Sequence, residues 1–169
     1  MRYSNDSGNE QTNRIYYRSM IGTIILIAVI GAIVALVVGS IWYSPGTPMG
    51  RLHMKAIGFD KISPDEQKRL IEEMKPKMWK SYLMQFIMSV MISFFVGFIT
   101  VVGMRNGQTF GMVVGEAFFV WIALMVPVIG SGILWGNTPR DIAWKKFFSD
   151  ALSYAVTIGL VLIVARLFV

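Results

Sequence analysis

The strongest constraint on the fold is an apolar run at residues 21–41 that contains no charged side chain. About 20 consecutive apolar residues form a helix long enough to cross the hydrocarbon core of a bilayer. Arg14 and Arg18 precede the run, and a secretory signal peptide also begins with positive charge, but its apolar part is only about 7–15 residues long. We therefore interpret residues 21–41 as an uncleaved membrane-spanning helix.

Three more segments have the same character. Residues 81–104 carry no charge, residues 110–135 carry only Glu116, and the last segment becomes apolar at Ala151. Pro127 lies inside the third segment and predicts a kink there. The sequence therefore predicts the fold class as an all-α integral membrane four-helix bundle, with spans at about 21–41, 81–104, 110–135 and 147–168.

The composition supports this class and excludes several kinds of site. Hydrophobic residues make up 54% of the chain and charged residues 15%, against about 25% charged residues in a typical soluble domain. The chain has no cysteine and one histidine, His53, so we expect no disulfide, no metal site and no cofactor. No nucleophile elbow, metal-ligand pair or phosphate loop occurs, and we therefore do not expect an enzyme.

The chain divides into a polar N-terminal tail at residues 1–19, which we expect to be loosely ordered, and a single four-span domain at 20–169. The long loop at residues 48–80 contains a helix start, because Ser63 can cap, Pro64 can take the first position and Glu66 completes a capping box. We expect an amphipathic cytoplasmic helix from there to about residue 75, where Pro76 interrupts it.

The distribution of lysine and arginine predicts the orientation in the cell membrane, because cytoplasmic loops carry the excess of these residues. Eleven occur at residues 48–80 and 136–150: Arg51, Lys55, Lys61, Lys68, Arg69, Lys75, Lys77, Lys80, Arg140, Lys145 and Lys146. Five lie on the opposite side: Arg2, Arg14, Arg18, Arg105 and Arg166. The sequence thus predicts that both loops are cytoplasmic and both termini are outside, with anionic lipid headgroups as partners and no nucleic acid.

The first span ends in Trp42-Tyr43-Ser44-Pro45. Trp and Tyr favour the membrane interface, and Pro45 biases Ser44 away from helical geometry. One interpretation is an interfacial anchor followed by a helix stop. The other is that the hydroxyl groups of Tyr43 and Ser44 point into a vestibule between the helices.

This tetrapeptide also carries a resemblance to a known family. Over about residues 24–164 the chain resembles the domain of unknown function 1761 family. The resemblance rests on Trp42-Tyr43-Ser44-Pro45, Gly50-Arg51, Met54, Trp121 and Leu134-Trp135-Gly136-Asn137-Thr138-Pro139. The chain departs from the family pattern with Met49 for Phe, Arg51 for Lys and His53 for Trp. The resemblance implies a small multi-pass membrane protein without assigned chemistry, and it supplies no catalytic residue.

Two features within the spans predict how the helices pack. Small residues recur every fourth position in each span: Gly31/Ala35/Gly39, Ser89/Ser93/Gly97, Gly107/Gly111/Gly115 and Ala151/Ala155/Gly159. Such stripes let helices approach closely in lipid, so we expect tight packing at Gly111 and Gly159. A stripe left on the bundle surface would be a homo-oligomer contact. Glu116 is an acid within a span, and we expect it to point inward and pair with Arg166, with Arg105 as the alternative.

Two functional hypotheses follow. The first is a small solute or ion transporter or channel-like bundle, with Glu116, Tyr43, Ser44 and Asn137 lining a polar cavity. The alternative is a non-transporting accessory or scaffold protein that binds a partner through the loop at residues 48–80. A membrane enzyme is third, because the sequence shows no paired titratable groups.

Overall fold

The computed structural model describes the backbone of residues 6–136 and 138–169, and the side chains of residues 14–76, 78–136 and 138–169. All regular structure in these residues is helical, as the sequence predicts. The elements are α1 (Asp6–Trp42), α2 (Pro48–Ala56), a short 3₁₀ helix (Phe59–Lys61), α3 (Pro64–Arg105), α4 (Phe110–Val120), a π-helical turn (Trp121–Met125), α5 (Val126–Trp135) and α6 (Arg140–Arg166).

Four helical stretches are long and apolar enough to cross a membrane, which confirms the predicted number of candidate spans. They are Arg14–Trp42, Met78–Arg105, Phe110–Trp135 and Arg140–Arg166. The third stretch is the most peripheral, since only 6% of its most apolar window is buried inside the protein. Most of the surface of α4 and α5 therefore faces away from the rest of the bundle.

The first, second and fourth spans form the centre of the bundle, where α1 packs against α3 and α6. The end of α1 lies beside the first turns of α6, because the Trp42 indole donates a 3.1 Å hydrogen bond to the Ser149 hydroxyl. We call this end, where α2 also packs on α6, the α2 end. At the far end the Arg105 guanidinium lies 4.9 Å from the centre of the Tyr16 ring.

An apolar core fills the half of the bundle towards the far end. Its buried residues are Ile24, Ile27, Val96, Val101, Val113, Ala117, Ile158, Val161, Leu162 and Ala165. Helices α1, α3, α4 and α6 all contribute to it. This half of the bundle is therefore closed by side-chain packing.

The small-residue stripes explain part of this packing. A Cβ at Gly31 would lie 2.7 Å from the Ser93 Cβ, and one at Gly97 would lie 2.9 Å from an Ile27 methyl group. The prediction of tight packing is wrong at Gly159, where nothing lies within 4 Å, and at Gly111, where the nearest atom is 3.9 Å away. Those glycines face outward, so their spacing reflects no contact within the chain.

The loop at residues 48–80 contains a helix that the sequence analysis missed. Thr47 caps α2 by accepting a 2.9 Å hydrogen bond from the Gly50 N–H, and Pro48 takes the first helical position. This is the same cap-plus-proline signal as at Ser63, where the hydroxyl accepts from the Glu66 N–H. Close approach requires a glycine at position 50, because a Cβ there would lie 1.9 Å from the Ser44 carbonyl oxygen.

The expected interruption at Pro76 is wrong. Helix α3 runs without a break from Pro64 to Arg105, so the amphipathic helix and the second span form one element. Proline removes one backbone donor from a helix. The surrounding residues, 71–76, are exposed, so water can satisfy the carbonyl group that loses its partner.

Two other element boundaries differ from expectation. Helix α1 begins at Asp6, so its backbone includes much of the polar segment that we assigned to a tail; residues 1–5 of that tail lie outside the described residues. An acidic residue in the first helical turn is favourable there.

The sequence predicts a kink at Pro127, and the structure has a π-helical turn in the residues before it. The wider turn accommodates the loss of the backbone hydrogen bond that proline cannot donate.

Overpacking the contact between α1 and α3 tests this arrangement. We expect Gly31→Leu to lower the free energy of unfolding by about 1–3 kcal/mol, because the new side chain would displace Ser93 and Val161. Gly159→Leu is the matched control on an open helix face and should change it little. The measurement is thermal unfolding in detergent, and equal losses in both variants would contradict the packing.

Candidate functional site

A polar cavity of about 630 Å³ occupies the α2-end half of the bundle, between α1, α3 and α6. Although the larger part of the lining surface is apolar, most of the lining residues have polar side chains: Ser40, Tyr43, Ser44, His53, Tyr82, Gln85, Ser89, Ser93, Lys146, Asp150, Ser153, Tyr154 and Thr157. Its volume is typical of a small-molecule site, about 300–1,000 Å³. The exposed members of the lining are Ser40 on α1, Pro45 in the turn after it, and Tyr82 and Gln85 on α3, so the cavity opens between α1 and α3.

The cavity ends inside the bundle. Along α6 it extends from Lys146 to Thr157, which is about 16 Å at 1.5 Å per residue. The next residue, Ile158, already belongs to the apolar core. The cavity therefore stops at the packed half of the bundle.

A hydrogen-bonded charge network lies at one end of the cavity. We call this end the mouth and define it by Tyr43, His53, Lys146 and Asp150. The Tyr43 hydroxyl donates a 2.7 Å hydrogen bond to one Asp150 carboxylate oxygen. The Lys146 ammonium forms an ion pair with the other oxygen, one helical turn away on α6. Burial, with the adjacent Asp150 carboxylate, raises the pKa of Tyr43 well above its ordinary value, so this phenol stays protonated and remains a donor.

The segment between α1 and α2 holds Tyr43 in position. The Thr47 hydroxyl donates a 2.7 Å hydrogen bond to the Trp42 carbonyl, and the Thr47 N–H donates at 2.9 Å to the Ser44 carbonyl. The turn after α1 is thereby tied to the start of α2. With the Trp42–Ser149 bond, it fixes the end of α1 against α6.

His53 on α2 completes the mouth. Its ring lies 5.3 Å from the Tyr43 ring, edge to face. Its Nδ1 atom is buried and has no hydrogen-bond partner in the described part of the chain. Burial lowers the pKa of His53, the Lys146 charge lowers it further and Asp150 partly opposes this. His53 is therefore held neutral with one polar atom available.

A second unpartnered polar atom marks the floor of the cavity. Ser93 is 1% exposed, and its hydroxyl has no partner among the described residues. Thr157 lies at the same level, with its hydroxyl donating to the Ser153 carbonyl at 2.9 Å. Buried polar groups are normally hydrogen-bonded, so the Ser93 hydroxyl, which lies against Gly31, is an exception within the contact between α1 and α3.

The structure brings together only part of the predicted polar site. Tyr43 and Ser44 line the cavity, as the vestibule interpretation expected. Asn137 lies outside the described residues. Glu116 and Arg166 are elsewhere: Glu116 is exposed and accepts a 2.7 Å hydrogen bond from Gln108, and the Arg166 guanidinium lies 4.7 Å from the Phe110 ring centre.

The expected inward Glu116–Arg166 pair is therefore not formed, nor is the alternative with Arg105. The physical reason is the packing of α4, which turns Val113 and Ala117 towards the core and so places Glu116 on the outer face. Gln108 folds over Gly103 and brings its amide to Glu116. The carboxylate is satisfied locally by the loop between α3 and α4.

Several site residues were missed by sequence reasoning. Lys146 and Asp150 were assigned to the loop at residues 136–150, Ser89 and Ser93 were assigned to a packing stripe, and His53 was assigned to no site. The statement that paired titratable groups are lacking is also wrong. A signal was available, since Lys146, Asp150, Ser153 and Thr157 follow helical spacing of three and four residues and so share one face of α6.

The residues of the family resemblance occupy several places. Trp42, Tyr43, Ser44 and Gly50 form or support the mouth, and Pro45 lines the cavity. Three others lie away from it: Met54 is half-buried on α2, Trp121 begins the π-helical turn with its ring edge-on to Phe118, and Pro139 precedes α6. Thr138 does not cap α6. Pro139 takes the cap position, and its carbonyl accepts hydrogen bonds from the Ile142 and Ala143 N–H groups.

Removing the Tyr43 hydroxyl tests the charge network. We expect Tyr43→Phe to lower the free energy of unfolding by about 1–2 kcal/mol, because Asp150 loses a charge-assisted hydrogen bond in a half-buried site. Tyr82→Phe, on an exposed part of the same cavity, should have little effect. Thermal unfolding of both variants in detergent is the measurement, and a neutral Tyr43→Phe would contradict the network.

His53 gives the chain a defined pH response. Its pKa is lower in the folded chain than the ordinary value of about 6.5, so between these two values the unfolded state binds more protons. The contribution of His53 to stability is therefore complete above about pH 6.5 and declines as the pH falls towards the folded pKa. The measurement is the melting temperature of the wild type and of His53→Gln between pH 5 and 8. Parallel plots of melting temperature against pH would refute the predicted contribution of His53.

Comparison with known proteins agrees with the resemblance seen in the sequence. The family described as "Protein of unknown function (DUF1761)" matches residues 26–165, a range that includes the mouth and the floor of the cavity. No curated protein and no solved structure matches the chain. Since the family match covers most of the sequence, the chain belongs to the DUF1761 family of proteins of unknown function.

Proposed function

We propose that this protein is a small membrane transporter that binds a polar solute in the cavity between α1, α3 and α6. The observation that carries the proposal is the division of the bundle into a half with a cavity and a half with an apolar core. The cavity lies in the α2-end half and opens between α1 and α3, and the apolar core closes the other half. This arrangement is what an alternating-access protein needs in a state that is open to one side.

The cost of the cavity supports a functional role. Ionisable side chains within membrane-spanning segments are expensive and usually mark a substrate or ion pathway. Here Lys146 and Asp150 line the cavity, and their side chains are 32% and 15% exposed. The buried hydroxyl groups of Ser89, Ser93, Ser153 and Thr157 also suit close helix packing, so the ion pair carries this argument.

We further propose the orientation that the lysine and arginine distribution predicts. The α2 end then faces the cytoplasm, both termini are outside the cell membrane, and the cavity opens inward. Basic side chains near this end, such as Arg51 and Lys145, are exposed and can contact anionic headgroups. The solute would enter or leave from the cytoplasmic side in this state.

A scaffold role has one specific observation in its favour. The first turns of α3 carry exposed apolar side chains, Ile71 and Met74, and Met78 follows one turn later. Such a face can lie on a membrane surface or bind a partner helix. It leaves the polar cavity unexplained, and we therefore rank it second.

Cysteine labelling in this naturally cysteine-free chain tests the transport proposal. A membrane-impermeant thiol reagent should label Ala35→Cys from the cytoplasmic side, because Ala35 lines the cavity and is partly exposed. Ala28→Cys is the matched variant: it replaces a buried alanine on the same helix, α1, two turns farther along. Alternating access predicts that Ala28→Cys becomes labelled from the outer side during turnover.

The two variants separate the outcomes. An unlabelled Ala35→Cys would mean that the cavity is dry and would overturn the proposal. Labelling of Ala35→Cys with complete protection of Ala28→Cys from both sides would exclude alternating access. It would leave a binding protein that is open to one side only.

A further inference from the structure

The charges inside the cavity define the class of solute. Among the described lining residues, Lys146 and Asp150 are the only two whose side chains carry a full charge at neutral pH once His53 is neutral. Their side chains are 32% and 15% exposed and pair with each other. The cavity is therefore electrically balanced without a ligand.

We propose that the solute is a small zwitterion with an ammonium group and a carboxylate group, as in a polar α-amino acid. This inference rests on the transport proposal above. The ligand carboxylate binds the Lys146 ammonium, and the ligand ammonium binds the Asp150 carboxylate. One internal ion pair is exchanged for two ion pairs with the ligand, and the total charge of the cavity stays zero.

Other ligand charges fit this site less well. A dianion that drew Lys146 away would leave the half-buried Asp150 carboxylate without its cation. A dication that drew Asp150 away would leave the Lys146 ammonium without its anion. Leaving one member of a buried pair uncompensated is strongly unfavourable. An uncharged polyol would leave the pair intact and would make no use of either charge.

The rest of the cavity accommodates the remainder of such a molecule. From Asp150 to Thr157 the lining continues for about 10 Å along α6 at 1.5 Å per residue. On α3 the exposed Gln85 amide makes only a long, 3.5 Å contact with the Ser89 hydroxyl. A polar side group can bind this amide while the ammonium and carboxylate groups stay at the mouth.

The orientation of Tyr43 assists the exchange. Its hydroxyl already donates to Asp150, so Asp150 keeps one hydrogen bond when the Lys146 ammonium turns to the ligand. The aromatic faces of Tyr43 and Tyr154 both line the cavity and can lie against an ammonium group. The site therefore offers a cation-binding and an anion-binding half within one helical turn.

Protection of Ala35→Cys from the thiol reagent tests the inference in the full-length chain. Four probes of different charge are compared: L-glutamine (zwitterion), succinate (dianion), putrescine (dication) and sorbitol (neutral). We expect only L-glutamine to slow labelling. The added double change Lys146→Gln and Asp150→Asn should raise its half-protecting concentration about tenfold or more, equal to about 1.4 kcal/mol.

A second pair supplies the control. Arg69 and Glu73 have the same four-residue spacing at 3.6 Å but are exposed on α3 outside the cavity. Arg69→Gln with Glu73→Gln should leave protection unchanged. The single variants should change the preferred class: Lys146→Gln leaves an acid that favours putrescine, and Asp150→Asn leaves a cation that favours succinate.

Several results would overturn the inference. They are equal protection by sorbitol, protection by none of the four probes, or L-glutamine protection that survives the double change. In each case labelling of Ala35→Cys and Ala28→Cys still tests transport separately. If the double variant does not fold, the change of class in the single variants decides the result.

Discussion

The contact between Tyr43 and Asp150 joins the end of the first span to the beginning of the last. These residues are 107 positions apart in the chain, and the neighbouring Trp42–Ser149 bond has the same separation. Together they hold α1 against α6 at a level where the side chains between the helices are polar. Without such a tie the polar half of the bundle would have little apolar packing to keep it closed.

The two halves of the bundle depend on different interactions. The far half is held by interdigitated apolar side chains, with α1 and α3 in close approach where Gly97 meets Ile27. The α2-end half is held by the Trp42–Ser149 and Tyr43–Asp150 hydrogen bonds at its rim, whereas the Lys146–Asp150 ion pair lies within α6. Gly31 lies near the boundary, against Ser93. Under the transport proposal, the ion pair within α6 is exchanged for contacts with a solute while the two hydrogen bonds keep α1 against α6.

Much of the fold could be predicted from sequence because it depends on local properties. The four candidate spans follow from charge-free length, and the start of α3 follows from Ser63, Pro64 and Glu66. Helix α2 carried the same local signal at Thr47 and Pro48 and could have been found. The continuity of α3 through Pro76 could not, since it depends on whether one carbonyl is exposed to water.

The site could be predicted only in part because it depends on which helix faces meet. Tyr43 and Ser44 were recognised from the helix stop in which they occur. Lys146 and Asp150 have the spacing of an ordinary exposed ion pair on a helix. They belong to the site only because the end of α1 lies against them. Glu116 is the opposite case, since its isolation in an apolar span suggested a partner inside the bundle. The orientation of α4 instead gives it Gln108 from the adjacent loop.

The segment Trp42-Tyr43-Ser44-Pro45 has two roles that the sequence presented as alternatives. It ends α1 at an aromatic interface, and it supplies the hydroxyl group that binds Asp150. The roles are coupled, because the turn that stops the helix also allows α2 to fold back, with Gly50 against Ser44 and His53 against Tyr43. A helix continuing past Trp42 would carry Tyr43 away from the short connection that brings His53 to it. Ending the helix here is therefore a condition for forming the mouth of the cavity.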